Sequence, residues 1–299
     1  MKRNFIADIL LFGTAIIWGF TFVAQAWGAE HLSPLTFNGI RFFVGAVSLL
    51  PVFLIFERNF SDKKRLRRTM LGAIAAGAAL FCAAALQQMG IDRTQSAGVT
   101  GFITGLYNLM TPIAYFLLFK KKTGVTVWIG AVISVVGLFL LCMNGQGFSF
   151  GLGELFIFLG TFFWTAHILI IDRFVESADP IKLSCGQFFI CSALNFVSAF
   201  IFERSEFSMD SIGKAWGAIL FCGILAAGVA YTCQIFGQKY SSSPTRVAII
   251  LSTESLFGAV GGALFGIDHI PFIGYVGCAL MFVGIILSQL PDRIFKIEK

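Results

Sequence analysis

Ten long apolar runs, separated by short segments that carry nearly all the charge, decide what this chain can fold into. They fall at Ile9–Ala29, Pro34–Phe56, Thr69–Gly90, Ala97–Phe119, Val125–Met143, Leu155–Ile171, Leu183–Phe202, Ala215–Phe236, Val247–Gly266 and Ile270–Leu290. The hydrocarbon core of a bilayer is about 30 Å thick and takes about 20 apolar residues of helix, close to the length of each run. Only 13% of the residues are charged, against roughly 25% in soluble domains, so a water-soluble globule has no means of covering this apolar surface. Backbone amides in lipid must bond within a helix or a closed barrel, and the runs lack the alternation of barrel strands. Helices remain. The first run follows Met1-Lys2-Arg3 as a secretory signal would, but it is long, ends in Trp27-Gly28-Ala29-Glu30 and has no small-residue cleavage pattern, so a retained helix is expected.

The net charge of +6 is distributed unevenly. Eighteen basic residues lie at the two termini and in one set of alternate loops: Lys2, Arg3, Arg58, Lys63, Lys64, Arg65, Arg67, Arg68, Lys120, Lys121, Lys122, Arg173, Lys182, Lys239, Arg246, Arg293, Lys296 and Lys299. The opposite loops hold three, Arg93, Arg204 and Lys214. The positive-inside rule then puts both termini in the cytoplasm of a multi-pass inner-membrane protein, and makes the bilayer, not nucleic acid, the partner of the basic residues. The seven cysteines (Cys82, Cys142, Cys185, Cys191, Cys222, Cys233 and Cys278) lie within apolar runs at spacings that match no zinc or redox motif, so they read as packing residues. Neither a metal nor a cofactor is expected.

The chain repeats itself. A shift of 146 residues superposes Trp18 on Trp164, Glu30 on Glu176, Pro34 on Pro180 and Ile55-Phe56-Glu57 on Ile201-Phe202-Glu203. One inserted residue later, Gly90, Leu109, Gly130 and Gly137 fall on Gly237, Leu256, Gly277 and Gly284. A repeat with an odd number of spans crosses the membrane in opposite senses in its two copies. The expected fold is therefore an all-α membrane protein of ten transmembrane helices in two inverted five-helix repeats, 1–143 and 150–290, with a cytoplasmic tail, 291–299. Inverted repeats provide two nearly equivalent packings, each open to one side, with the substrate site near the midplane where the halves meet.

The opening Ala15-Ile16-Ile17-Trp18-Gly19-Phe20, Ser33-Pro34 and Gly39-Ile40-Arg41-Phe42-Phe43 resemble the ten-helix EamA-type branch of the drug/metabolite transporter superfamily. Gly153-Glu154-Leu155 through Trp164, Ser252-Thr253-Glu254-Ser255-Leu256-Phe257-Gly258-Ala259 and Gly274-Tyr275-Val276-Gly277 are similar to its second unit, so the likeness covers almost the whole chain. The resemblance implies export of amino acids or related amphipathic metabolites through a pathway between the halves. One departure is visible: where the family often has Glu followed by Pro in the ninth span, this chain has Glu254-Ser255. Pro112, near the matching depth of the other half, is expected to kink its helix and free a carbonyl as a gate element.

Charged groups deep in a span cost at least about 2.5–3.5 kcal/mol, so they are paired or face a watery path. Arg41 and Glu254 are such groups, whereas Asp8 and Glu154 lie at span ends, where hydration suffices. Arg41 either locks helices through hydrogen bonds or binds a substrate carboxylate. Glu254 either holds two helices together as a permanent ion or carries a coupled proton. Trp18 with Thr21, and Trp164 with His167, each share one helical face near mid-span and are expected to line a cavity. Thr104, Tyr107, Asn108 and Thr111 form a polar stripe in the fourth span, and Gln87, Gln187, Tyr231 and Gln234 are weaker candidates. The substrate-binding set expected is therefore Trp18, Thr21, Arg41, Thr104, Tyr107, Asn108, Trp164, His167, Gln187, Tyr231 and Glu254. Gly101-x-x-x-Gly105 and Gly258-x-x-x-Gly262 permit close helix approach, more simply within the bundle than across a weak homodimer.

These features point to a non-enzymatic secondary transporter of small molecules that works by alternating access. The chain has no G-x-x-x-x-G-K-[ST], H-E-x-x-H or G-x-S-x-G, and its three histidines make a sparse metal site, which argues against ATP-driven transport and an embedded enzyme. A non-transporting scaffold has no use for inverted halves with polar groups at mid-depth. An importer of the same architecture stays open, because fold does not set direction.

Overall fold

A computed structural model describes residues 2–56, 62–120, 124–141, 143–144, 147–148, 150–203, 208–240, 250–288 and 290. The expected tail 291–299 and the basic residues Arg58, Lys121, Lys122, Arg204 and Arg246 lie outside the described residues. The helices are α1 (Lys2–Ala29), α2 (Pro34–Phe56), α3 (Lys63–Thr94), α4 (Ala97–Gly105), α5 (Tyr107–Phe119), α6 (Val125–Leu141), α7 (Leu152–Phe174), α8 (Pro180–Phe202), α9 (Met209–Leu220), α10 (Tyr231–Tyr240), α11 (Glu254–Leu264) and α12 (Phe272–Ser288). A π-helical segment, Phe221–Ala230, joins α9 to α10, and two-residue strands β1 (Met143–Asn144) and β2 (Gly147–Phe148) pair antiparallel between α6 and α7.

The protein is a multi-pass, almost wholly helical membrane protein. Among the described residues seven helical rods are long and apolar enough to cross a bilayer: Phe5–Ala29, Pro34–Phe56, Lys63–Thr94, Ala97–Leu118, Leu152–Phe174, Pro180–Phe202 and Met209–Tyr240. Three shorter apolar helices, Val125–Leu141, Ile250–Leu264 and Phe272–Ser288, occupy the places of the other expected spans. At 1.5 Å per residue their 15 to 17 described residues rise only about 22–26 Å, short of a full hydrocarbon core.

Local sequence explains the ends. Asp62 caps α3 by accepting from the Arg65 N–H at 3.0 Å, and Ser96 caps α4 by accepting from the Val99 N–H at 3.1 Å. Gln95, left-handed at φ 48°, ends α3. Pro180 begins α8, where its missing N–H has no helical acceptor to lose. Two ends are tied by residues distant in sequence. The Glu203 carboxylate accepts from the Leu35 N–H (2.9 Å), the Thr36 N–H (2.8 Å) and the Thr36 hydroxyl (2.9 Å), capping α2 from the end of α8. Asp268 does the same for α4, accepting from the Ser96 hydroxyl at 2.6 Å and the Gly98 N–H at 2.8 Å. Burial of this loop carboxyl raises its pKa above the ordinary aspartate value, although both hydrogen bonds favour its charged form.

Helix packing depends on small residues, as expected where lipid removes any hydrophobic drive between helices. α6 lies on α12, α3 on α7 and α8, α2 on α8 and the π segment, α4 on α11, and α1 on α11, α10 and the π segment. A Cβ at Gly137 would meet the Gly277 carbonyl at 2.6 Å, and one at Gly284 would meet the Gly130 carbonyl at the same distance. Both GxxxG stretches face inward: Ser255 Oγ donates to the Gly101 carbonyl at 2.9 Å, and Gly258 lies against Phe22 and the Ala97 carbonyl. Outward faces carry large exposed apolar side chains such as Phe200, Phe202 and Phe272, which lipid covers.

Two helices are interrupted next to the site. At Leu106 and at Thr253 the α pattern gives way to i→i+3 bonds: Leu106 N–H to Ile103 carbonyl, 3.2 Å, and Thr253 N–H to Ile250 carbonyl, 3.2 Å. The breaks lie directly before Tyr107 and Glu254. The second occurs without proline, so the missing Glu-Pro of the ninth span does not abolish the irregularity there. The first lies upstream of Pro112, whose own side chain is outside the described residues.

Candidate functional site

A cavity lies in the middle of the bundle, lined from both halves of the chain. α1 supplies Trp18, Thr21, Phe22 and Gln25, a stripe at helical spacing that puts all of them on one face. α2 adds Arg41 and Phe42, α3 Gln87, α4 Thr104 and α5 Tyr107. From the second half of the chain come Trp164, His167 and Ile168 of α7, Cys222, Ala226 and Ala227 of the π segment, Tyr231 and Gln234 of α10, and Glu254 of α11.

Of the residues expected from sequence, Trp18, Thr21, Arg41, Thr104, Tyr107, Trp164, His167, Tyr231 and Glu254 meet at this wall. Asn108 and Gln187 do not. Asn108 is turned to its own helix, donating to the Gly105 carbonyl at 3.3 Å, and Gln187 stands behind His167, with Oε1 at 2.9 Å from Nε2. With that oxygen accepting, the imidazole proton is on Nε2, which orients the ring towards the cavity. Phe22, Gln25, Phe42, Ile168, Cys222, Ala226 and Ala227 were missed. Phe22 and Gln25 continue the Trp18–Thr21 face and were legible from spacing; Cys222, Ala226 and Ala227 face the cavity because the π segment changes the register of that rod.

Tyr231 is the centre of the aromatic wall. Its ring meets Trp18 at 4.8 Å between centroids, Phe188 at 5.2 Å and His167 at 6.1 Å, all edge-to-face. Trp18 Nε1 donates to the Ala226 carbonyl at 3.3 Å, and Thr21 returns its hydroxyl proton to the Ile17 carbonyl at 2.7 Å. Gln87 Nε2 donates to Thr104 Oγ1 at 3.0 Å. Four polar atoms at the wall have no such partner: Gln25 Oε1, Tyr107 Oη, Trp164 Nε1 and Glu254 Oε1. The Tyr107 phenol and the Glu254 carboxyl lie within interaction range of each other.

Arg41 is buried, its Nε donates to Asn38 Oδ1 at 2.8 Å, and its guanidinium lies 4.7 Å from the Phe42 ring centroid and 5.6 Å from that of Phe37. Among the described residues no ion pair forms with Arg41, so no carboxylate there neutralises it. The cavity thus combines an aromatic wall, an uncompensated guanidinium, a buried carboxyl and several unused donors and acceptors. That is the make-up of a small-molecule site.

The EamA-like transporter family matches residues 5–143 and, a second time, residues 151–290. The chain belongs to that family. An uncharacterized transporter of Archaeoglobus fulgidus is 26% identical over 97% of this chain and 87% of its own length. The uncharacterized transporter YoaV of Bacillus subtilis is 24% identical over 83% of this chain and 85% of its own. An uncharacterized inner membrane transporter of Escherichia coli, YedA, is 26% identical over 52% of this chain and 49% of its own. A crystal structure superposes with a TM-score of 0.72 at 18% identity, covering 97% of this chain and 98% of that one, a likeness of fold. Membership of a transporter family implies a small-molecule substrate and a surrounding bilayer.

Proposed function

We propose that this EamA-like protein is a ten-span secondary transporter built from two inverted five-helix halves, and that it moves small amphipathic metabolites, amino acids among them, through the central cavity by alternating access. The observation that carries the proposal is the make-up of the cavity wall. Trp18 and Trp164, Thr21 and His167, Phe22 and Ile168, Gln87 and Gln234, and Tyr107 and Glu254 are partners under the sequence shift, and each pair contributes both members.

Packing supports the same reading. Gly77 lies against the Gln187 carbonyl and Ile190, while its partner Gly223 lies against the Arg41 carbonyl and Val44, the shift-partners of Gln187 and Ile190. The i→i+3 turns at Leu106 and Thr253 are likewise partners. The two ends of the bundle differ, as one state of an alternating device must. A groove lined by Ile16, Phe20, Trp27, Phe221 and Phe265 parts α1 from α9, whereas at the opposite end α3 closes on α7 and α8 through Ala76, Ile171, Ala178 and Leu183, with the Arg65–Asp179 ion pair beside them. The distribution of basic residues supports cytoplasmic termini. Export is the direction the family resemblance suggests.

Glu254 is the proposed proton carrier, because it is buried with Oε1 unpartnered and a gradient-driven exporter needs a group that titrates. Purified protein in proteoliposomes tests both statements. Wild type should exchange amphipathic metabolites and accumulate them against an imposed pH gradient. Glu254→Gln should lose the pH-driven accumulation yet keep exchange at equal pH and saturating substrate. Exchange absent from wild type defeats the transporter reading; unchanged pH-driven accumulation in the variant defeats the role of Glu254 alone.

A further inference from the structure

The proposed transport cavity holds two ionisable groups at different depths, and their separation restricts the substrate further than the family does. α1 and α11 run parallel, since Gly19 lies against Gly258 and Trp27 against Phe265, so the end of α11 shares a face with the end of α1 and the start of α2. From that face Arg41 is seven residues down α2 from Pro34 and Glu254 is ten residues down α11 from Leu264. At 1.5 Å per residue these are depths of about 10 Å and about 15 Å.

The side chains widen the gap. Helical side chains lean towards their own N-terminus, and the N-termini of α2 and α11 are at opposite faces. The Arg41 contacts follow this rule, with Nε on Asn38 and the guanidinium near Phe37, both nearer the start of α2. Tyr231 is within electrostatic reach of both Arg41 and Glu254. At the same wall the Trp18 and Tyr231 rings pack together and offer an apolar face.

Resting on the transport reading, we infer that the cavity selects a dipolar ion whose carboxylate and ammonium are separated by several methylenes, an ω-amino carboxylate. Its anionic end lies on Arg41, its ammonium on Glu254, and its chain along Trp18 and Tyr231. The Trp164 N–H and the Gln25 amide oxygen are unused by the protein and add a donor and an acceptor to the wall. An α-amino acid, with both charges on one carbon, reaches one pole only.

The test uses isomers that differ in charge separation alone. Thermal stabilisation of the purified protein is titrated with ε-aminocaproate and its isomer norleucine, and with caproate and n-hexylamine as ligands of a single charge. Half-maximal stabilisation by ε-aminocaproate should need at least about tenfold less ligand than by any of the other three, the discrimination expected of one charge-assisted hydrogen bond. Arg41→Gln should remove its advantage over n-hexylamine, and Glu254→Gln its advantage over caproate. If either variant fails to fold, the four titrations of wild type still decide. Equal or better stabilisation by norleucine, or none by ε-aminocaproate, overturns the inference. Norleucine exchange in proteoliposomes with ε-aminocaproate inert would leave the transport reading standing and sink the charge separation alone; no exchange of any metabolite sinks both.

Discussion

Trp18 and Trp164 occupy matching positions in the two repeats, but their indole N–H groups differ: one donates to the Ala226 carbonyl and the other is unpartnered at the cavity. Phenylalanine keeps an aromatic face while removing the N–H with the five-membered ring, and the same change at both positions lets the two N–H roles be compared. Trp18→Phe should cost about 0.5–1.5 kcal/mol of stability through the lost hydrogen bond. Trp164→Phe should leave the melting temperature unchanged and weaken ligand binding about five- to tenfold. Thermal denaturation with and without ligand measures both, and the reverse pattern would assign the binding donor to Trp18. At this scale a tryptophan with a polar residue one turn on, mid-span, in both repeats, pointed to four wall residues, Trp18, Thr21, Trp164 and His167, and polar groups within the spans pointed to five more. Asn108 and Gln187 stand behind the wall and not on it, because helical spacing gives a face to within about one residue and does not say which neighbour covers it.

The ends of α2 and α4 are capped by Glu203 and Asp268, each from a segment far away in sequence. Glu203→Ala removes three acceptor contacts from a buried helix start and should destabilise the protein by about 1–3 kcal/mol, with Glu203→Gln costing less because the amide oxygen still accepts. Unfolding in mixed micelles is the measurement. Helix contacts give a second prediction. Gly137→Leu puts a branched side chain where even a Cβ would meet the Gly277 carbonyl at 2.6 Å, and it should force α6 from α12 and reduce the yield of folded protein. Gly213→Ala in α9, with nothing within 4 Å of its Cβ, should be neutral or stabilising. The paired glycines were legible because the repeat aligned them. The caps were not, since nothing local marks Glu203 as a partner of Thr36; nor were the breaks, since Gly105 adjoins Leu106 but no proline or glycine adjoins Thr253.

For the molecule as a whole, apolar run lengths gave the class of fold, and the internal shift gave the pairing of residues that meet in the cavity. Length was the weaker guide: three of the expected spans are short helices, and the rod from Met209 to Tyr240 contains a π segment that hydropathy does not distinguish from α-helix. The central claim is that the cavity between the repeats opens to each side of the membrane in turn. Cys222 is a native reporter of that cavity, buried and at its wall. Right-side-out and inside-out vesicles are to be treated with a membrane-impermeant maleimide, and modification of Cys222 read by peptide mass spectrometry during substrate exchange. The account predicts that Cys222 is labelled from both sides and that a bound ligand slows labelling from each. Labelling from one side only, under every condition that supports exchange, would contradict it.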